Sequence, residues 1–235
     1  MAQSKSRSTG PGGKNMYVAR ARGGGTKGVL VLHAWWGLTP FFTDLCERLA
    51  REGFTALAPD LYGGVTTSTI AGAKLLRSKL KRAVVAQQGA QAADSLGAAC
   101  GGGESAIGVI GFSLGGYWGL WLAEQPRSAS PHAQAQEQPP VVAATVAFYA
   151  TRNGDYVASR SAFQFHLAET DEYVAASGAK KLQKSLQAAG REAEFHTYPG
   201  TTHWFFEADR PDAYNASAAD LAWKRTIEFL NLHVK

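Results

Sequence analysis

One segment sets a hydroxyl where chemistry could use it. Gly111-Phe112-Ser113-Leu114-Gly115 begins on the last two residues of the apolar run AIGVIGF and directly precedes the apolar helical stretch GYWGLWLAEQ. A serine held between a strand and a helix takes a strained turn that lifts its hydroxyl above the sheet edge, and glycines at the flanking positions avoid side-chain collisions there. A serine hydroxyl is a weak nucleophile at neutral pH, so it needs a base that is itself oriented by an acid. In a strand–turn–helix setting of this kind the order along the chain is serine, acid, histidine.

Five histidines follow Ser113. His132 lies in a low-complexity stretch and His233 in the C-terminal tail, while His166 and His196 fall inside strand-like runs where a packed role is expected. His203 sits in the loop YPGTTHWFF ahead of the last helical pattern, and is the expected base. The loop AETDEYV offers Glu169, Asp171 and Glu172 as acids, with Asp171 preferred because the chain turns there; Asp155 in RNGDY ranks behind them. Acyl transfer also needs two backbone N–H groups aimed at the developing negative charge. The amide of Leu114, next to the nucleophile, and that of Trp35, in the loop HAWWGLTP, are best placed. Trp36, Tyr149 and Trp204 are the expected pocket side chains, since they lie in or beside these loops.

These loops need a frame. Apolar runs of strand length occur at 28–34, 55–59, 106–112, 141–149, 162–167 and 193–198, and their near-continuous Val, Ile, Leu and Ala predict strands covered on both faces. Between them lie helical patterns. One starts at Thr39 as N-cap with Pro40 first, carries Phe41, Leu45 and Leu49 on one face, and stops at Gly53. One or two helices are expected from Ile70 to about Leu96, with Leu76, Leu80 and Val84 aligned. Ser177–Ala189 places Leu182 and Leu186 on one face, and 216–232 stacks Trp223, Ile227 and Leu230. The alternation predicts one α/β domain over 15–235, a mostly parallel sheet with helices on both faces and no large cap domain.

The composition narrows the function classes. The chain has 235 residues, 45% hydrophobic and 18% charged, and no apolar run approaches the roughly 20 residues of a membrane span. Residues 1–14 are expected to be a disordered leader without a signal-peptide pattern, and 125–140 a low-complexity surface insertion. Of the 24 basic residues, six lie within 1–27, where there is no acid, so the rest of the chain carries 18 bases against 19 acids despite the net charge of +5. That distribution argues against a nucleic-acid groove. Two cysteines make no disulfide framework or zinc site, and a cytoplasmic protein is expected.

The runs VLVLHAWWGLTPFFTDLCERLAREGFTALAPDLYGG, GFSLGG, AETDEYV and YPGTTHWFF resemble the dienelactone hydrolase family of α/β-hydrolases, in the same order over roughly 15–233. The resemblance implies an α/β-hydrolase fold that needs no metal or organic cofactor. It maps a triad onto Ser113, Asp171 and His203 and the oxyanion amides onto Trp35 and Leu114. The best-known members carry a cysteine nucleophile restrained by a glutamate; here Ser113 and Ala34 stand at those positions. Glu207 stands where the resemblance places an arginine for a substrate carboxylate, so an anionic substrate is expected to meet a like charge and neutral esters to be preferred. The function expected is a serine hydrolase, a monomer or weak homodimer, cleaving small carboxylic esters or lactones through an acyl-enzyme. A thioesterase or peptidase on the same scaffold, or a non-catalytic ligand receptor, are the alternatives.

Overall fold

The structure is a computed structural model that describes residues 7–9, 15–100, 106–125 and 141–235. The strands in chain order are β1 (Arg7–Thr9), β2 (Asn15–Ala19), β3 (Gly28–Leu32), β4 (Thr55–Pro59), β5 (Ala106–Phe112), β6 (Val141–Phe148), β7 (Ala162–Thr170) and β8 (Ala193–Thr202). They form one sheet in the order β1-β2-β4-β3-β5-β6-β7-β8. All six predicted runs are strands. From β4 to β8 the pairing is parallel, while β1 on β2 and β2 on β4 are antiparallel.

Two expectations at the ends of the pattern change. Arg7–Thr9 lies within the stretch expected to be a disordered leader, yet it is paired strand, with Arg7 opposite Tyr17 and Thr9 opposite Asn15. The remainder of 1–14, and 126–140 of the expected insertion, lie outside the described residues. The helices are α1 (Pro40–Arg51), α2 (Ile70–Lys79), α3 (Arg82–Ala99), α4 (Leu114–Glu124), α5 (Ala176–Ala188) and α6 (Ala216–His233). The expected Leu76–Leu80–Val84 stripe does not form, because Leu80 takes an extended conformation (φ −77°, ψ 111°) and separates α2 from α3. Helix α3 instead buries Val85, Ala92, Ala93 and Leu96, leaving Val84 exposed.

Strand alternation sorts the core into two layers. Val29 and Val31 of β3 face Phe42, Leu45 and Leu49 of α1 and Ala222, Phe229 and Leu230 of α6. Leu30 and Leu32 point the other way, onto Val85, Ala93 and Leu96 of α3 and Trp118 of α4. Farther along the same face, α4 and α5 cover Phe163 and Phe165 of β7. Every residue of β3 and β4 is buried, as expected of central parallel strands. Thr39 does precede α1, but its hydroxyl makes no cap; it donates to Asp209 Oδ2 at 3.0 Å, tying the start of α1 to the segment after His203. Cys46 is a fully buried packing residue of α1, and burial pushes its thiol well above the usual range. The parallel strands thus deliver three loops to one sheet edge: those after β3, β5 and β7. The chain following β8 completes the set.

Candidate active site

Ser113 occupies the single residue between β5 and α4, with φ 50° and ψ −110°, a left-handed conformation that a non-glycine side chain adopts only under constraint. The constraint is visible on both sides. The Ser113 N–H donates to the Phe148 carbonyl of β6 at 3.0 Å, and its own carbonyl accepts from the Tyr117 N–H at 3.0 Å within α4. Gly115 is required by close approach: a Cβ there would run into the Leu32 carbonyl, and one on Gly111 would run into the Gly115 carbonyl. This crossing of β3, β5 and α4 at glycines is what leaves the Ser113 hydroxyl proud of the sheet.

The His203 Nε2 atom lies 2.9 Å from Ser113 Oγ, although the residues are 90 positions apart. Its Nδ1 lies 2.9 and 2.8 Å from the two carboxylate oxygens of Asp171. Asp171 is held in turn, since its Oδ1 accepts the N–H groups of Tyr173 at 2.8 Å and Val174 at 2.9 Å. The side chains of His203 and Asp171 are only 4% and 6% exposed, so water competes little for this contact. Proton acceptance by Nε2 requires the hydrogen on Nδ1, and the Asp171 carboxylate favours that tautomer.

The competing residues point elsewhere. Glu169 accepts the Gly200 N–H at 2.9 Å, and Asp155 accepts the Val157 N–H at 3.0 Å. His166 is fully buried between Tyr198, Gln164 and Thr226, and His196 pairs with Glu194, so both have the packed roles expected of them. Trp204, immediately after the histidine, has φ 68°, and Tyr149, after β6, has φ 36°; strained backbone thus flanks His203 in sequence and in space.

A cleft of about 450 Å³ opens over Ser113, lined among others by Trp35, Leu114, Tyr149, Tyr173 and His203. Leu114 is the first residue of α4, so its N–H is one of the helix amides with no intrahelical acceptor. Of the predicted pocket side chains, Tyr149 faces this cleft. Trp36 and Trp204 do not: they line a neighbouring cavity of about 480 Å³ that shares only His203 with it. They pack with Trp35 and Tyr173 into one aromatic cluster, with ring centroids 5.1 to 6.0 Å apart, and the Arg210 guanidinium lies over the Trp36 ring. Tyr117, Trp118 and Tyr173 line the cleft as well. Tyr173 carries a signal, for it is two residues past the acid; the two on α4 look like ordinary helix packing.

The dienelactone hydrolase family model matches residues 15–234. The chain belongs to the dienelactone hydrolase family. Among relatives of this dienelactone hydrolase family member, "Protein usf" of Aquifex pyrophilus is 29% identical over 222 residues, covering 91% of this chain and 90% of the relative. A protein of Aquifex aeolicus named "Putative carboxymethylenebutenolidase" is 28% identical over 228 residues, covering 93% of each chain. The crystal structure of a protein from Klebsiella pneumoniae, titled a "Putative Dienelactone Hydrolase", superposes with a TM-score of 0.76 at 25% identity, covering 96% of this chain and 97% of that one. The dienelactone hydrolase family member is therefore a hydrolase of ester or lactone type, on an α/β-hydrolase fold.

The structure corrects the reading of Glu207 in this family member. Glu207 is fully buried and does not line the cleft; its Oε1 accepts the Tyr149 hydroxyl at 2.6 Å. Burial raises its pKa to about 8, against the opposing effect of the Tyr149 hydrogen bond, so at neutral pH it is mostly uncharged. The like-charge repulsion expected from its position along the chain has no source. The cleft instead has cations at its rim, Arg77 of α2 and Arg82 of α3. Arg152 is occupied beneath Tyr117 by an ion pair with Glu124. Among the described residues, no group of three or more His, Cys, Asp or Glu side chains is arranged to hold a metal ion, and no helix is long and apolar enough to cross a membrane.

Proposed function

We propose that this protein is a serine hydrolase that cleaves small carboxylic esters or lactones through an acyl-enzyme, with Ser113 as nucleophile, His203 as base and Asp171 as its orienting acid. The observation that carries the reading is the continuous chain of contacts from Ser113 Oγ through His203 to Asp171, at 2.9 and 2.8 Å, at the floor of an open cleft. In acylation, Ser113 Oγ bonds to the substrate carbonyl carbon while its proton passes to His203 Nε2. The carbonyl oxygen becomes an oxyanion facing the Trp35 and Leu114 N–H groups. Collapse breaks the ester bond, and His203 returns the proton to the departing alkoxide. Water then repeats the sequence against the acyl-enzyme, releasing the acid and restoring Ser113.

The exposed Arg77 and Arg82 at the rim favour substrates that carry a carboxylate beside the scissile bond, a chemistry that the carboxymethylenebutenolidase name of one relative also describes. The open cleft, with no cap among the described residues, favours short acyl groups. Ser113→Ala tests the proposal: turnover of p-nitrophenyl acetate is expected to fall by about 10⁴ or more with the fold intact. Near-wild-type turnover by that variant would overturn it.

A further inference from the structure

Loss of activity on removing a residue does not require that the residue touch the substrate, and one fully buried side chain stands directly behind the loop that follows β3. His33 is 0% exposed, between Phe42 and Tyr62, whose ring centroids lie 6.2 and 5.3 Å from its own. Its Nδ1 lies 2.6 Å from the Ala34 carbonyl oxygen, and its Nε2 lies 3.1 Å from the Leu61 backbone nitrogen. A carbonyl only accepts and a backbone N–H only donates, so these two contacts together define the tautomer: Nδ1 carries the hydrogen and Nε2 is bare. Burial lowers the pKa of His33, which keeps the ring in this neutral form.

The Ala34 carbonyl and the Trp35 N–H belong to the same peptide unit. That unit is planar and trans, so its C=O and N–H point in opposite directions. A donor that seizes the carbonyl from the protein interior therefore aims the N–H toward the other side, where Trp35 borders the cleft with Ser113 and Leu114. The Gly37 N–H also reaches this carbonyl, at a longer 3.3 Å.

We propose that His33 is a positioning residue for catalysis, its Nδ1–H holding the Ala34 carbonyl so that the Trp35 N–H is preset toward the oxyanion. The inference rests on the reading of Ser113 as nucleophile with Trp35 as an oxyanion donor. The second contact serves the fold instead, because Nε2 takes the Leu61 N–H and anchors the loop after β4 to the loop after β3. One side chain thus joins a structural hydrogen bond to a functional one, and the two can be separated by substitution.

In His33→Asn the side-chain amide keeps a donor at the Nδ1 position and loses the acceptor for Leu61. In His33→Gln the longer side chain reaches Leu61 with its carbonyl and loses the donor to Ala34. With p-nitrophenyl acetate, His33→Gln is expected to lower kcat by about 10- to 100-fold with KM within about twofold, short of the loss from deleting an oxyanion donor. The inhibition constant of phenylboronic acid, whose tetrahedral adduct places an oxyanion at the same amides, is expected to rise by a similar factor. His33→Asn is expected to melt at a lower temperature while recovering kcat to within about threefold of the wild type. Equal losses of kcat in both variants, or a larger loss in Asn than in Gln, would overturn the proposal and leave His33 an anchor for Leu61. A readout that needs no variant is the ¹⁵N spectrum of the wild-type histidines. The proposal requires a protected Nδ1–H for His33, and an Nε2–H tautomer would overturn it whatever the variants do. Failure of the underlying reading looks different: the wild type would then not form the boronate adduct, and Ser113→Ala would remain active.

Discussion

Replacing Glu207 by glutamine separates the chemistry of a buried carboxyl from its shape. In the folded chain Glu207 holds its proton to about pH 8, whereas its ordinary value is 4.5. Once unfolded, the carboxyl ionises freely above that ordinary value, so raising the pH favours the unfolded state. The stabilising effect of the protonated carboxyl is complete below 4.5 and is lost as pH rises through 8. From these two values, linkage gives a penalty to folding of about 1 kcal/mol at pH 5 and about 3 kcal/mol at pH 7. Glutamine has no proton to lose, and its amide oxygen can still accept the Tyr149 hydroxyl that Oε1 now accepts at 2.6 Å. Its amide N–H₂ takes the place of the Oε2 hydroxyl. Urea unfolding of both proteins at pH 5, 6 and 7 therefore measures the effect directly. The stability of the variant relative to the wild type is expected to rise by about 2.5 kcal/mol between pH 5 and pH 7. A stability difference that stays flat across that range would refute the reasoning, because it would mean that Glu207 ionises alike in both states.

Asp171→Asn is expected to lower kcat by about 10² to 10⁴ by misorienting His203 or selecting its wrong tautomer, and Glu172→Gln to change it little. Steady-state kinetics on p-nitrophenyl acetate separates the two, and the reverse pattern would move the acid by one residue. Arg82→Gln, and Arg77→Gln beside it, are expected to raise KM several-fold for an ester bearing a free carboxylate and to leave a neutral ester of the same size unaffected. Because both arginines are exposed, that difference should shrink on raising salt from 0.05 to about 0.5 M. A loss shared equally by both esters would assign these side chains a role other than charge recognition.

What can be read from the chain follows the range of the interactions involved. The strand before Ser113 and the glycines around it are signalled within a few residues and fall where the pattern places them, whereas the strands before Asp171 and His203 run on to Thr170 and Thr202, into segments expected to be loop. Strand β2, NMYVA, carries no long apolar run and is not legible, because it gains its order by pairing antiparallel with β4. The break at Leu80 is likewise absent from the helical pattern, whose periodicity continues through it. Side-chain direction is the larger gap. Glu207 lies four residues past His203, yet it turns inward to Tyr149 rather than toward the cleft, and Thr39 turns from its own helix to Asp209. Trp36 and Trp204 share loops with functional residues but line the neighbouring cavity instead of the cleft over Ser113. Such choices depend on partners up to 170 positions away, which local spacing does not encode.

The central claim is a covalent acyl-enzyme on Ser113, and trapping that species tests it most directly. The protein is mixed with excess p-nitrophenyl acetate, quenched in acid within the first turnover, digested and examined by mass spectrometry. The account requires one acetyl group on the peptide that contains Ser113, formed at the rate of the p-nitrophenol burst and absent from Ser113→Ala. An acetyl group that forms kinetically competently on another residue, or full turnover by Ser113→Ala, would contradict it.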